Sequence, residues 1–269
     1  MDIGPLRALL EDDIGYGDIT TELLPSKKVT ARIVVKQDAY ISGMEVARDL
    51  CASCNIRMDI LVSDGSLVNE GSTLSTLEGD IRDMLTAERT VLNVLQHMSG
   101  ITTATRACTD LAGPTVRVAA TRKTLFPYLD KMAVIAGGGD PHRWRLDDMF
   151  LIKDNHIRVI GIQEAVRQAR EFSFSKKIEV EAETLEQARE AALAGADIIM
   201  LDNMTPDEVR AAIATLKEEG HDKTLFEASG MITKDNIKEY ADTGVDIISL
   251  GSLTHSVTAV DMSLEIDGD

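Results

Sequence analysis

In the second half of the chain, six short apolar runs each end on a small polar or charged cluster. They are Val118-Ala119-Ala120 before Thr121-Arg122-Lys123, Phe150-Leu151-Ile152 before Lys153, Ile178-Glu179-Val180 before Glu181, Ile198-Ile199-Met200-Leu201 before Asp202, Leu225-Phe226-Glu227 before Ser229-Gly230, and Ile247-Ile248-Ser249-Leu250 before Gly251-Ser252. Stretches of helical period separate the runs, and this alternation predicts βα units around a parallel sheet, often a barrel. Six units are visible where a closed barrel needs eight, which leaves room for an open, incomplete barrel. In such folds the carboxyl ends of the strands converge on one mouth. Cations, carboxylates and Gly/Ser turns meeting there point to a polyanionic substrate, with a metal.

The first half has a different rhythm. Leu6–Glu11 reads as a short helix, residues 12–21 as a turn-rich loop, Ala31–Lys36 as a strand, Val46–Cys54 as a helix and Met58–Ser63 as a second strand. Asp64 to Gly71 carries turn signals at both ends. Strands around one or two helices predict an α+β open sandwich. The longest helical pattern, Arg82–Met98, has a wide apolar face and is expected to stop at Ser99-Gly100. The domain junction is placed just after it, giving residues 1–104 to the sandwich and 105–252 to the barrel. The tail, 253–269, alternates weakly and is expected to return to the first domain as a strand. Capping patterns predict helix starts at Thr184, with Gln187 three residues on, and at Thr205-Pro206, with Glu208.

Composition narrows the reading. The hydrophobic share of 44% and charged share of 27% are those of an ordinary globular protein. A formal net charge of -17 opposes binding to nucleic acid or to an anionic membrane. It also makes an Arg/Lys group at the mouth harder to dismiss as background. Cys51-Ala-Ser-Cys54 lies in a helical stretch, and the one remaining cysteine, Cys108, cannot supply the second pair a zinc site wants; packed, reduced thiols are expected. The N-terminus has no signal pattern and no apolar run approaches a membrane span, so a cytoplasmic protein is expected.

Several strings together resemble one family. They are Gly17-Asp18-Ile19-Thr20-Thr21, Glu88-Arg89-Thr90-Val91-Leu92-Asn93, Ser99-Gly100-Ile101-Thr102-Thr103, Thr121-Arg122-Lys123-Thr124, Gly137-Gly138-Gly139-Asp140-Pro141-His142-Arg143, Leu151-Ile152-Lys153-Asp154-Asn155-His156, Glu179-Val180-Glu181, Met200-Leu201-Asp202-Asn203, Glu227-Ala228-Ser229-Gly230 and Leu250-Gly251-Ser252-Leu253-Thr254-His255-Ser256. In that order and spacing the chain resembles the quinolinate phosphoribosyltransferases over nearly its whole length. The resemblance implies an N-terminal open α/β sandwich followed by an open, incomplete α/β barrel. It implies a reaction that joins quinolinate to phosphoribosyl pyrophosphate, giving nicotinate mononucleotide, pyrophosphate and carbon dioxide in NAD synthesis. Two places depart from the family's pattern. Leu125 to Asp130 replaces a longer stretch containing an Arg, and Met231 stands where a second Gly is usual.

With that substrate, Arg122, Lys123, Arg143 and Lys153 are the candidates for binding two adjacent carboxylates, with Thr121 beside them. The resemblance adds Arg89 from a neighbouring subunit, hence a homodimer with shared sites. His142 reads either as a substrate contact or as a structural residue, while His156 is expected to orient its own loop. Glu181 and Asp202 are assigned to Mg2+, directly or through water, or to ribose hydroxyls; an ion pair with the lysines is the plainer alternative. Lys123, Lys153, Glu181 and Asp202 form the expected catalytic set. Ser229, Gly230, Met231, Gly251 and Ser252 are assigned to the ribose 5-phosphate, with glycine at Gly251 expected for close approach and a positive φ. Three rivals remain: a Schiff-base lyase using Lys123 or Lys153, a related phosphoribosyltransferase or a metal-cofactor-transport paralogue taking another base, and a non-catalytic phosphate-binding protein.

Overall fold

A computed structural model describes residues 3–267 of the chain. The chain divides into two compact units, Met1–Ala104 with Ala136–Gly138 and Val257–Asp269, and Thr105–Ile135 with Gly139–Ser256. Among the described residues no helix is long and apolar enough to cross a membrane.

The first unit opens with helix α1 (Gly4–Ile14), which covers part of the stretch read as loop. Its main sheet is antiparallel and four-stranded, in the order β12-β1-β5-β3, from Met262–Ile266, Lys28–Val35, Thr73–Asp80 and Arg57–Ile60. Alternation places Ala31, Ile33 and Val35 of β1 inside while Arg32 between them stays exposed. The C-terminal strand β12 pairs with β1, Ala31 opposite Ile266 and Val35 opposite Met262. A small ladder joins β2 (Ala39–Tyr40) to β4 (Leu67–Val68), and helix α2 (Met44–Ser53) carries the buried Cys51. Cys51, Cys54 and Cys108 are all free thiols, and burial pushes Cys51 up to about 12.

Helix α3 corrects the sequence reading. It runs from Ile81 to Ala112 without stopping at Ser99-Gly100. The reason is packing. A Cβ at Gly100 would lie 2.2 Å from the carbonyl oxygen of Thr258, so glycine here permits a close backbone approach. Its neighbours serve backbone as well: the Ser42 amide donates to Ser99 Oγ at 3.1 Å, and the Tyr40 amide to Thr103 Oγ1 at 2.9 Å. Thr102 Oγ1 donates to Ser42 Oγ at 2.7 Å. A run of small polar residues that looks like a helix stop is instead the helix face that satisfies buried main chain.

The second unit holds the six predicted strands: β6 (Arg117–Ala120), β7 (Phe150–Ile152), β8 (Ile178–Ala182), β9 (Ile198–Asp202), β10 (Leu225–Ser229) and β11 (Ile247–Leu250). All pairings are parallel, in the order β6-β11-β10-β9-β8-β7. The first strand has come round beside the last, and β6 and β7 are the two outer strands, β6 carrying a single parallel bridge from Ala119 to Asp140 on its far side, so the barrel stays open. Among the intervening helices are α4 (Pro127–Ala136), α5 (Asp154–Ile160), α6 (Ile162–Phe172), α7 (Leu185–Ala194) and α8 (Pro206–Glu218). The expected caps are present, with the Gln187 amide donating to Thr184 Oγ1 at 3.2 Å and the Thr205 amide to Glu208 Oε2 at 2.8 Å.

Gly100→Ala should destabilise the first unit. Forcing a methyl against a backbone carbonyl in a packed interior costs about 1–3 kcal/mol. Urea unfolding of wild type and variant measures it; an unchanged midpoint would mean the helix and the 257–258 segment separate freely.

Candidate active site

The two faces of the parallel sheet differ in kind. Val118, Ile152, Val180, Ala182, Ile199, Leu201, Phe226, Ala228, Ile248 and Leu250 join the apolar core shared with the surrounding helices. The alternate positions point the other way, and there the register sets Glu181 beside Met200, Met200 beside Glu227, Asp202 beside Ser229 and Ser229 beside Ser249. A cavity of about 380 Å³ opens on this face. Thr121, Arg122, Lys123, His142, Arg143, Lys153, Glu181, Asp202, Glu227, Ser229 and Ser249 line it with Ala120, Leu151 and Met200.

Nine of the sequence candidates therefore share one wall: Thr121, Arg122, Lys123, His142, Arg143, Lys153, Glu181, Asp202 and Ser229. Gly230, Met231, Gly251 and Ser252 stand at the adjoining turns rather than on the lining, and Arg89 is exposed on α3. Lys153 follows β7 and its ammonium donates to Glu181 Oε1. His156 accepts from the Lys153 amide at 3.0 Å, so it shapes the turn that aims the lysine. Asp202 Oδ2 accepts from Asn203 Nδ2 at 2.8 Å.

The cations come from loops that the strands bring together. Arg122 and Lys123 follow β6. The shortened segment after them is compact: Thr124 Oγ1 accepts from the Phe126 amide at 2.9 Å and its hydroxyl donates to Asp130, which is buried in the first turn of α4. Lys131, fully buried in the same helix, donates to the carbonyl of Pro141, one residue before His142. Burial, with Arg122 adding to it, lowers Lys131 to about 8. Burial first and Arg122 second also lower Arg143. A cation depressed by burial and by a neighbouring cation in a half-closed space is relieved by an anion.

His142 sits at the base of this group. Its backbone is left-handed, φ 53°, and its amide donates to Asp140 Oδ1 at 2.7 Å. Its Nε2 lies 3.1 Å from Glu227 Oε2 and 3.3 Å from Glu179 Oε2, and both carboxylates are fully buried. Burial works against the imidazolium, but hydrogen bonds to Glu179 and Glu227 outweigh it and raise His142 to about 10. The sequence reading took Glu179 and Glu227 as strand residues only. Their signal was a Glu inside a β-run that should be apolar throughout, in phase with the mouth residue two places on.

The two glycines expected at phosphate turns differ from each other. Gly230 has φ +86°, and a Cβ there would lie 2.2 Å from Asn203 Oδ1. Met231 is also left-handed, φ 53°. Gly251, expected at positive φ, has φ -69°. Its small size answers instead to the His255 ring, 3.0 Å from a Cβ built there, and to the Lys123 stem. Both glycines thus accommodate a neighbouring side chain.

An open sheet of six parallel strands with a cation-rich mouth suits a protein that handles a small anion at its strand ends. Sequence comparison makes the relationship specific. The profile of the quinolinate phosphoribosyl transferase C-terminal domain matches residues 101–265, and that of the N-terminal domain matches residues 18–99. The chain is 45% identical over 278 residues to a probable nicotinate-nucleotide pyrophosphorylase [carboxylating] of Methanothermobacter thermautotrophicus, covering 100% of this chain and 99% of that one. It is 36% identical over 272 residues to the nicotinate-nucleotide pyrophosphorylase [carboxylating] of Mycobacterium leprae, with 97% and 95% covered. Among solved structures, the nicotinate-nucleotide pyrophosphorylase of Francisella tularensis superposes with a TM-score of 0.91 at 36% identity over 97% of this chain and 94% of that one. That of Ehrlichia chaffeensis superposes with a TM-score of 0.93 at 32% identity over 99% of both chains. The chain belongs to the quinolinate phosphoribosyl transferase family.

Gly230→Ala should cost about 1–3 kcal/mol, because it combines a left-handed backbone with a collision against Asn203. Gly251→Ala should cost less, since its backbone is helical and its nearest neighbour is a movable ring. Paired thermal or urea melts read the difference, and equal losses would remove the distinction.

Proposed function

We propose that this chain transfers the phosphoribosyl group of phosphoribosyl pyrophosphate to the ring nitrogen of quinolinate, with loss of carbon dioxide, giving nicotinate mononucleotide and pyrophosphate. It is an enzyme, a decarboxylating pentosyltransferase of NAD synthesis, and a cytoplasmic one on this reading. The observation that carries the proposal is the cavity wall, where Arg122, Lys123, Arg143 and Lys153 gather in a chain of net charge -17. The names of the relatives agree with it.

The roles follow from chemistry. Arg122 and Arg143 offer planar forks to two adjacent carboxylates, and Lys123 and Lys153 add point charges. Thr121 contributes a hydroxyl. The pyridine nitrogen displaces pyrophosphate at the anomeric carbon through an oxocarbenium-like state, so the protein's work is alignment and charge neutralisation. Once alkylated, the ring is a cationic electron sink. The bond to the adjacent carboxylate breaks, its electron pair stays on the ring carbon, and that carbon takes up a proton. Glu181 and Asp202 give an all-oxygen donor set, which fits Mg2+. When bound, that ion neutralises charge developing on the pyrophosphate. Ser229 on the wall, with Gly230, Met231, Gly251 and Ser252 at the turns, receives the ribose 5-phosphate. A Schiff-base lysine wants apolar or otherwise depressed surroundings, whereas Lys153 is paired with Glu181 and Lys123 is exposed. The enzyme acts as a homodimer in which Arg89 completes the partner's dicarboxylate pocket. A two-fold assembly makes two such sites.

Incubation with phosphoribosyl pyrophosphate, Mg2+ and quinolinate should yield nicotinate mononucleotide with one carbon dioxide per turnover. Nicotinate should not replace quinolinate, and chelation should stop the reaction. Turnover of nicotinate alone would make the chain a transferase for another base.

Arg89→Ala and Lys153→Ala should each be nearly inactive as homodimers. Mixed under subunit exchange, they should regain up to about half the wild-type rate per heterodimer, since one site then carries both lesions and the other neither. Mixtures that demonstrably exchange yet stay inactive would place Arg89 outside the partner's site.

A further inference from the structure

The two guanidinium forks of the cavity wall, Arg122 and Arg143, lie on separate loops, one just after β6 and one in the segment that leads to β7. Among the described residues neither guanidinium is tied to a carboxylate or a carbonyl. Their aim therefore comes from the backbone that carries them. Helix α4 reaches both stretches from adjacent positions. Asp130, buried, accepts from the Thr124 hydroxyl, two residues beyond Arg122. Lys131, next to it and fully buried, donates to the Pro141 carbonyl, two residues before Arg143. A third tie is aromatic: Tyr128 of α4 packs on Trp144, with ring centroids 5.7 Å apart and planes at 40°.

The segment is pinned on both sides of Arg143. Asp140 is joined to β6, its amide donating to the Val118 carbonyl at 2.8 Å and its carbonyl accepting from the Ala120 amide at 3.1 Å. Asp148 Oδ2 accepts from the Trp144 amide at 2.6 Å and from the Arg145 amide at 3.1 Å. Between these points the chain turns through the left-handed His142, and Lys131 holds the carbonyl where that turn begins. A buried ammonium has lost its hydration, and an apolar side chain of similar length would fill the space without that loss. A lysine in this place is accounted for by what it holds. We propose that Asp130 and Lys131 are positioning residues, which together set the separation of the loops bearing Arg122 and Arg143 and so the spacing of the two forks offered to adjacent carboxylates. The proposal rests on reading the cavity as the quinolinate site. Bidentate pairing is directional, so two forks at a fixed distance favour a ligand whose two carboxylates match that distance. A ligand with one carboxylate engages one fork and is indifferent to the spacing.

The test uses the full-length protein and reads the segment and the ligands separately. Trp144 is the chain's one tryptophan, so its fluorescence reports on the segment with no ligand present. Lys131→Met should shift the emission to the red and lower the anisotropy. Lys131→Gln, which keeps a donor, should restore most of the wild-type signal. Unchanged emission and anisotropy in Lys131→Met would overturn the proposal. Calorimetry should show quinolinate affinity falling roughly tenfold or more in Lys131→Met, with Lys131→Gln between it and wild type. Nicotinate, tested as a binding competitor, and phosphoribosyl pyrophosphate should each change by less than about threefold, since neither spans the two forks. Equal loss of all three ligands, or equal loss of quinolinate in the Met and Gln variants, would reduce Lys131 to filling the core and overturn the proposal. Thr124→Val alters the other tie from the loop side and should give the same selective loss of quinolinate, while Thr124→Ser, which keeps the hydroxyl, should not. If Lys131→Met fails to fold, this second pair decides the matter, and Thr124→Val with wild-type quinolinate affinity would overturn the proposal. Wild type that fails to bind quinolinate would instead count against the proposed reaction, and the Trp144 signals would still judge the two ties.

Discussion

The period-two alternation of a parallel sheet governs the second unit. Helices cover one face, and every second residue of β6 to β11 is drawn into that core. The intervening residues have no choice of direction. Glu179, Glu181, Met200, Asp202, Glu227, Ser229 and Ser249 must face the interior of the open barrel, whatever their polarity. A one-residue slip in β8, β9 or β10 would bury a carboxylate against the helices and turn a core apolar residue into the mouth. Hydrophobic register on one side therefore fixes the chemistry on the other.

Around that polar wall, charge is layered. Lys131 lies fully buried beneath the segment that carries His142 and Arg143. Arg122, Arg143 and Lys123 form the next layer, and Lys153 is drawn toward Glu181. In a chain of net charge -17, this local excess of cations gives a small anion a focused well inside a repelling surface. The same field disfavours large polyanions, whose remaining charges would have to rest on the acidic exterior.

Much of this architecture is legible in the sequence. The six strands are short apolar runs with charged endings, and that pattern alone locates Arg122, Lys123, Lys153, Glu181 and Asp202 at one end of one sheet. Loop residues are harder. His142 and Arg143 arrive at the cavity through a turn at positive φ, and no periodicity predicts where such a turn leads. Gly100 misled for a physical reason: glycine signals a helix stop through its backbone freedom, but here it is selected for the absence of a side chain against Thr258. Glu179 and Glu227 were visible as charges in otherwise apolar strands. Their meaning depends on a shared neighbour, His142, more than thirty residues before either in the chain, and a contact of that kind is not written in local pattern.

The pairing of β12 with β1 bears on how the protein is made. β1 begins at Lys28, while its partner Met262–Ile266 follows the whole of the second unit in the chain. Until then β1 has β5 on one side and nothing on the other. The whole second unit must be synthesised while that row of amide and carbonyl groups stands open. The first unit of this chain therefore cannot complete its sheet before the second unit has been made. A fragment that stops at the end of the barrel would present the same open edge permanently, ready to accept a strand from another molecule.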